Sequence, residues 1–477
     1  MKIDNHKIKL TTTLGPVSSS VEMIKELVKT GATTIRVNFS HGSVDEQVLK
    51  FDAARQAAKE LNTNISLLLD TKGPEIRVGK MRDGAVAFAQ NQSFKILTTP
   101  EAFATVIGDE KQVCVPYDMS KDLKVGDKVL FDDGKLTTTV TNVIPGEITV
   151  LTANAHTLKT NKRINLPNVE FSLPFLDAKD ITDVTFGAKY GVDYIAASFV
   201  NSAKNVKELR DLLDKNGGKN IQIISKIESQ MGINNIDEII EASDGIMIAR
   251  GDLGLEIPYW EVPYWEIQIV KKCRALGKIV VVATQMLDSL ENNPQPTRAE
   301  VSDVYWATSL GADSTMLSNE TAAGKYPIRA VEVMRTINKK AEYDYFNTEE
   351  YNTNINSLIS QFVVDGDQAV LIKNIIKTTQ NGDYKYCFVV TDDAELLHKL
   401  SRFRVDTMFI GIINNEQKTT SFGLNSGIKI APKSVELFSK LENNAQNTEI
   451  LEELVEFNPG DNYLIVINNE IKHKKFN

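Results

Sequence analysis

Two apolar segments in the middle of the chain end in charges that complement each other. Ile221-Gln222-Ile223-Ile224-Ser225 runs into Lys226, Ile227 and Glu228, and Gly245-Ile246-Met247-Ile248-Ala249 runs into Arg250, Gly251 and Asp252. Each is an apolar run of strand length, the pattern of a strand buried on both faces. A charge at the end of such a strand needs a partner, because burying it alone is costly. Two carboxylates and a lysine at one sheet edge suit a divalent cation with an anion beside it. Glu228 and Asp252 would hold Mg²⁺ while Lys226 neutralises a phosphoryl oxygen. The alternative is an internal lysine–carboxylate ion pair with no ligand.

Positioning these groups takes a sheet, and the sequence supplies one. Apolar runs recur at 8–14, 33–39, 65–70, 192–199, 221–227, 245–250, 279–284 and 313–318, with helical patterns between most of them. Strand, helix, strand with one long interruption predicts a parallel sheet. Eight such units predict a (β/α)8 barrel, a TIM barrel, whose active site lies at the carboxyl ends of the strands. Those ends carry Arg36, Asn38, Ser40 and His41, then Asp70 and Thr71, Ser198, Thr284, and Ser318 with Glu320. Polar chemistry on nearly every strand end of one face is hard to explain by capping alone.

The rhythm breaks after Asp70-Thr71-Lys72-Gly73-Pro74. Short alternating segments and turn pairs such as Asp83-Gly84, Asp133-Gly134 and Pro145-Gly146 predict an inserted all-β domain. Beyond the barrel, Glu342 to Asn356 reads as a polar linker. Strand candidates at 385–391, 406–413 and 462–468 alternate with helical pattern, predicting a C-terminal α/β domain. The expected organisation is barrel at 1–72 and 169–341, β lid at 73–168, and terminal domain at 357–477.

Composition fits a soluble cytoplasmic enzyme. A formal net charge of −9 argues against a nucleic-acid or anionic-membrane partner. Three scattered cysteines, Cys114, Cys273 and Cys387, form no metal-ligand spacing and point to a reducing compartment. No run approaches transmembrane length, and the amino terminus has no apolar signal region.

The order and spacing of several motifs resemble the pyruvate kinase family. They are Thr13-Leu-Gly-Pro16, Arg36-Val-Asn-Phe-Ser-His-Gly42, Leu69-Asp-Thr-Lys-Gly-Pro-Glu-Ile-Arg77, Ile224-Ser-Lys-Ile-Glu228, Ala249-Arg-Gly-Asp-Leu-Gly254, Ala283-Thr-Gln-Met-Leu287 and Glu320-Thr-Ala-Ala-Gly-Lys-Tyr-Pro327. The resemblance implies phosphoryl transfer from phosphoenolpyruvate to ADP, giving ATP and pyruvate in the last step of glycolysis. It implies Mg²⁺ (or Mn²⁺) on Glu228 and Asp252, and Lys226 against the phosphoryl group. Backbone amides around Ala249, Arg250, Gly251 and Asp252, with the Thr284 hydroxyl, would receive the substrate carboxylate, and Thr284 would lie near the face where the enolate is protonated. Arg36 and Arg77 would bind phosphate oxygens. Asn38, Ser40, Asp70 and Thr71, an all-oxygen set, correspond to a K⁺ site, and Glu75 matches the K⁺-requiring members. Nucleotide contacts would come from Arg36, Asn38, His41, Arg77 and Lys162. A non-catalytic paralogue and a barrel lyase acting on phosphoenolpyruvate are the competing readings. The intact Lys226, Glu228 and Asp252 weigh against the first, and the K⁺-type quartet and the lid against the second.

Departures from the family stand out. Arg163 and Asn168 replace glycines near the lid hinge, and Asn201 replaces a basic residue. The stretch Thr391-Asp392-Asp393-Ala394-Glu395-Leu396 is acidic where relatives cradle a sugar phosphate, so activation by such a ligand is expected to be absent; the same acids could instead cap a helix. All three tryptophans follow a tyrosine, at Tyr259-Trp260, Tyr264-Trp265 and Tyr305-Trp306. These rings are expected near a subunit contact of a homotetramer, the alternative being that they cover the barrel's own helices.

Overall fold

The eight apolar runs become eight parallel strands: β1 (Lys9–Thr13), β2 (Thr34–Asn38), β3 (Ser66–Asp70), β4 (Tyr194–Ala197), β5 (Gln222–Ile227), β6 (Gly245–Ala249), β7 (Ile279–Ala283) and β8 (Ser314–Leu317). In the computed structural model, which describes residues 2–40, 42–169, 172–362, 366–443 and 449–476, they close into a barrel with sequential strands as neighbours and β8 beside β1. His41 lies outside the described residues.

Burial on both faces explains the unbroken apolar runs. Tyr194 and Ala196 of β4 point into the barrel with Leu68, Ile224, Met247 and Val281. Their neighbours Ile195 and Ala197 pack outward against the helices with Ile223, Ile246 and Val280. Leu424, from the terminal part of the chain, joins the interior cluster. Beside it the Tyr194 hydroxyl donates to the Ser421 carbonyl at 2.7 Å, so this segment plugs the amino-terminal mouth and leaves the carboxyl-terminal mouth for chemistry.

Between β3 and β4 the chain builds a seven-stranded sheet and a two-stranded one around Phe88, Phe94 and Phe131. A short α-helix, Pro100–Thr105, interrupts this mostly β region, started by the Thr99 side chain accepting from the Ala102 amide. The lid returns to the barrel through the strand Arg163–Asn165, which pairs with Ile76–Arg77.

The expected linker at 342–356 is helical instead. Helix Pro327–Phe346 is followed almost at once by helix Glu349–Gln361, capped by Thr348. Tyr351 and Ile355 are buried in the terminal core. Polar composition misled here because the helix is amphipathic, and its sparse apolar positions Tyr351, Ile355, Leu358 and Ile359 recur at helical spacing. A five-stranded sheet follows, parallel except for its last strand. Two of its strands lacked a clear sequence signal: Ile428–Ile430 is only three residues long, and Glu470–Lys475 is a charged edge strand.

The aromatic pairs divide. Tyr259, Trp260, Tyr264 and Trp306 are exposed, whereas Trp265 and Tyr305 pack against the barrel's own core, and the Tyr305 hydroxyl donates to Asp344 at 2.9 Å. For those two rings the covering role holds.

Candidate active site

Lys226 sits at the carboxyl end of β5, where its ammonium meets groups from three strands. It donates to Asp70 Oδ1 at 3.0 Å and to Ser198 Oγ at 2.8 Å, and lies 3.1 Å from Glu228 Oε1. All four side chains are buried. Burial alone would lower the lysine pKa, but Asp70 and Glu228 hold it above the ordinary range, so the ammonium stays charged. The internal ion pair considered from sequence therefore exists, and it belongs to a larger cluster.

Arg36, the middle residue of β2, closes that cluster from the other side. Its Nε donates to Asp70 Oδ2 at 2.7 Å and its Nη1 to Thr13 Oγ1 at 2.8 Å. Burial pushes Asp70 upward, but Arg36 and Lys226 outweigh it and hold the carboxyl below its usual value. Glu228 goes the other way: burial, opposed by Lys226 and reinforced by the charge of Asp252, pushes it up. Asp252 is held down by the Arg163 guanidinium and by Lys226 against its own burial.

Strand register places the all-oxygen set. Asn38 stands opposite Asp70 at the ends of β2 and β3, and its Oδ1 accepts from the Ser40 amide at 3.0 Å. Thr71 Oγ1 accepts from the Ser198 amide at 3.0 Å. The capping role weighed from sequence is thus present for Asn38.

At the end of β6 the backbone, not the arginine side chain, faces the site. Arg250 turns away and makes two 2.6 Å bonds to Asp303, with Glu266 at 3.3 Å. The Gly251 amide donates to Thr284 Oγ1 at 2.7 Å, and a Cβ at position 251 would lie 3.3 Å from that oxygen, so glycine allows the approach. Thr284 and Gln285 adopt left-handed backbone with φ of 67° and 55°, uncommon for any side chain and an outlier for a β-branched one. Phe199, whose amide donates to Glu228 Oε2 at 2.7 Å, is left-handed too, at φ 55°. Strain of this kind gathers where a site needs a fixed geometry.

A polar barrel mouth could serve many reactions, but the family model for the pyruvate kinase barrel domain matches residues 5–331. The chain belongs to the pyruvate kinase family. It is 44% identical over 421 residues to a pyruvate kinase of Mycoplasma pneumoniae, covering 85% of this chain and 82% of that one. It is 38% identical over 453 residues to a pyruvate kinase of Bacillus licheniformis, covering 94% and 74% respectively. A crystal structure of a pyruvate kinase from Cryptosporidium parvum superposes with a TM-score of 0.89 at 30% identity, covering 100% of this chain and 98% of that one. The enzyme is thus a phosphotransferase that moves the phosphoryl group of phosphoenolpyruvate to ADP, giving ATP and pyruvate.

Not every residue singled out from sequence lies in the cluster. Arg77 stands on the lid's base strand, held by Glu75 at 2.8 and 3.0 Å and cross-strand from Arg163. Lys162 is paired with Asp132 of the lid at 2.8 Å. Of the two replaced glycines, Asn168 adopts a left-handed φ of 61°, a conformation Asn tolerates. Arg163 sits in ordinary strand conformation and reaches Asp252 as an ion pair. Sequence reasoning gave Ser198 no role, yet it fixes Lys226; its position one residue past a buried strand was the available signal. Among the described residues, no helix is long and apolar enough to cross a membrane.

Proposed function

We propose that this cluster carries the reaction with Mg²⁺ (or Mn²⁺) and K⁺ as its cations, and the observation that carries the reading is the buried Lys226 ammonium fixed between Asp70, Ser198 and Glu228. Two close carboxylates, Glu228 buried and pushed up and Asp252 half-buried and held down by Arg163, Lys226 and its contact with Glu228, suit a divalent ion. Among the described residues no three such ligands converge, so substrate oxygens and water would complete the shell, as Mg²⁺ commonly accepts. Bound there, the ion would supply charge to the substrate's carboxylate and enolic oxygen.

The chain's own groups do the rest. Lys226 and Arg36 neutralise charge on the phosphoryl oxygens in flight, where phosphoryl transfer needs stabilisation most. The amides from Ala249 to Asp252 and the Thr284 hydroxyl orient the carboxylate, and Thr284 or a water it holds delivers a proton to the enolate. Arg77 and Lys162, with Arg36, Asn38 and His41, would contact the nucleotide as the lid closes. Asn38, Ser40, Asp70 and Thr71 would bind K⁺. The barrel spans 1–72 and 169–341, the lid 73–168, and the terminal domain runs to residue 477, starting near Glu349 rather than at 357. A homotetramer acting in the cytoplasm on these small molecules, with no nucleic-acid or membrane partner, completes the reading.

ATP formation from phosphoenolpyruvate and ADP, with Mg²⁺ and K⁺ omitted in turn, tests it. Activity should vanish without the divalent ion and fall sharply when tetramethylammonium replaces K⁺. Glu75→Lys, which puts a tethered ammonium near the cation corner, should lessen the K⁺ requirement at some cost to the Arg77 contact. Equal rates in K⁺ and tetramethylammonium for the natural chain would reject the K⁺ assignment.

A further inference from the structure

Arg163 joins the lid to the barrel through the carboxylate assigned above to the divalent ion, and nothing in that assignment needs an arginine there. We propose that Arg163 is a latch, its guanidinium competing with the divalent cation for Asp252 so that metal arrival and lid release are one event. The inference rests on Asp252 being a metal ligand.

The side chain is held for this purpose from several directions. Its Nη1 donates to Asp252 Oδ1, and its guanidinium lies 5.0 Å from the centre of the Phe199 ring. Phe199 is the residue whose amide binds Glu228, so the latch rests between the two carboxylates. On its own sheet Arg163 stands directly opposite Arg77, a like-charge pairing that pushes it toward the barrel. Glu75 is engaged by Arg77, its Oε2 accepting both bonds. The Arg163 Nη2 is buried with no hydrogen-bond partner among the described residues, so Asp252 is its principal acceptor. Two residues on, Asn165 Nδ2 donates to Glu256 Oε1 at 3.0 Å. Asp252 and Glu256 are one helical turn apart in Arg250–Glu256, so the lid strand lies along that helix with two side-chain bonds. A dication on Asp252 takes one of them and leaves the other, loosening the lid without freeing it.

The competition has a sign. A guanidinium carries one charge and a dication two, so metal displaces the arginine, but its affinity is lowered by what the ion pair was worth. Removing the arginine should therefore tighten metal binding, about tenfold if the pair is worth one charge-assisted hydrogen bond. Mn²⁺ titrated into the full chain and followed by electron paramagnetic resonance measures this without catalysis. Arg163→Gln should bind Mn²⁺ about tenfold more tightly than the natural chain, and Arg163→Lys, which keeps the charge but loses the fork, should fall between them. Amide exchange at residues 163–165 should rise on adding Mn²⁺ to the natural chain and be raised already in metal-free Arg163→Gln. Equal Mn²⁺ affinity in the three proteins, or exchange unmoved by Mn²⁺, would overturn the latch. If the Gln variant does not fold, the Lys variant decides by the same criterion. Asp252→Asn separates the two readings: undiminished Mn²⁺ binding there rejects Asp252 as a ligand, whatever Arg163 does.

Discussion

Replacing Lys226 by methionine removes a charge at the point where three carboxylates and three cations meet. The cations are Lys226, Arg36 and Arg163, and the carboxylates Asp70, Glu228 and Asp252. Methionine fills most of the stem volume, so shape is nearly kept. Electrostatics are not, and folding is not left untouched. Removing one partner of a buried pair typically costs about 3–5 kcal/mol. The low end applies here, because Asp70 keeps Arg36 at 2.7 Å and Glu228 keeps the Phe199 amide at 2.7 Å. A loss of about 3 kcal/mol would lower the melting temperature of a barrel this size by roughly 6–12 °C. The rate should suffer more. Losing a preorganised charge from a transition state costs about 3 kcal/mol or more, roughly a hundredfold. Pyruvate release, coupled to lactate dehydrogenase at saturating substrates and cations, reads the rate, and circular dichroism reads the fold. Lys226→Arg should recover much of the stability and little of the rate, since the ammonium's position is lost. A folded methionine variant within about tenfold of the natural rate would refute the assignment of Lys226 to the phosphoryl group.

Three further outcomes are expected. Fructose 1,6-bisphosphate should not shift the velocity curve at subsaturating phosphoenolpyruvate, because Asp393 caps helix Ala394–Ser401 through the Glu395 amide at 2.9 Å and Asp392 and Glu395 add charge beside it; a pronounced leftward shift would contradict this. Asp180 is raised to about 6 by burial and by Asp177, so the stability it contributes is present at low pH and is lost as pH rises from about 4 through 6. Asp180→Asn should flatten the melting temperature over that window, and an unchanged slope would reject the assignment. Trp260→Ala with Trp306→Ala, at two exposed rings, should reduce oligomer size in sedimentation, and unchanged size would remove these rings from any subunit contact.

The barrel was legible because each strand is buried on both faces, which forces an unbroken apolar run ended by whatever the site requires. Lys226, Glu228 and Asp252 could be read from that pattern alone. Other roles were out of reach because they depend on side-chain direction. Nothing in Ala249-Arg250-Gly251 says that the guanidinium swings out to Asp303 while the backbone faces in. Nor could spacing show that Arg163, distant in sequence, would reach Asp252. The helix Glu349–Gln361 was hidden by its polar face, since only four of its thirteen residues are buried.

The left-handed backbone at Thr284 sets stability against activity at one residue. A β-branched side chain held at φ 67° costs of order 1–3 kcal/mol, which the rest of the barrel must offset. Glycine would adopt that conformation freely. It would also delete the hydroxyl that receives the Gly251 amide. Thr284→Gly should therefore melt at or above the natural temperature while turning over more slowly. A population of variants selected for heat resistance alone would drift toward that substitution and lose the enzyme. The threonine persists only under selection for turnover, and heat resistance gained elsewhere in the barrel would let the chain keep it.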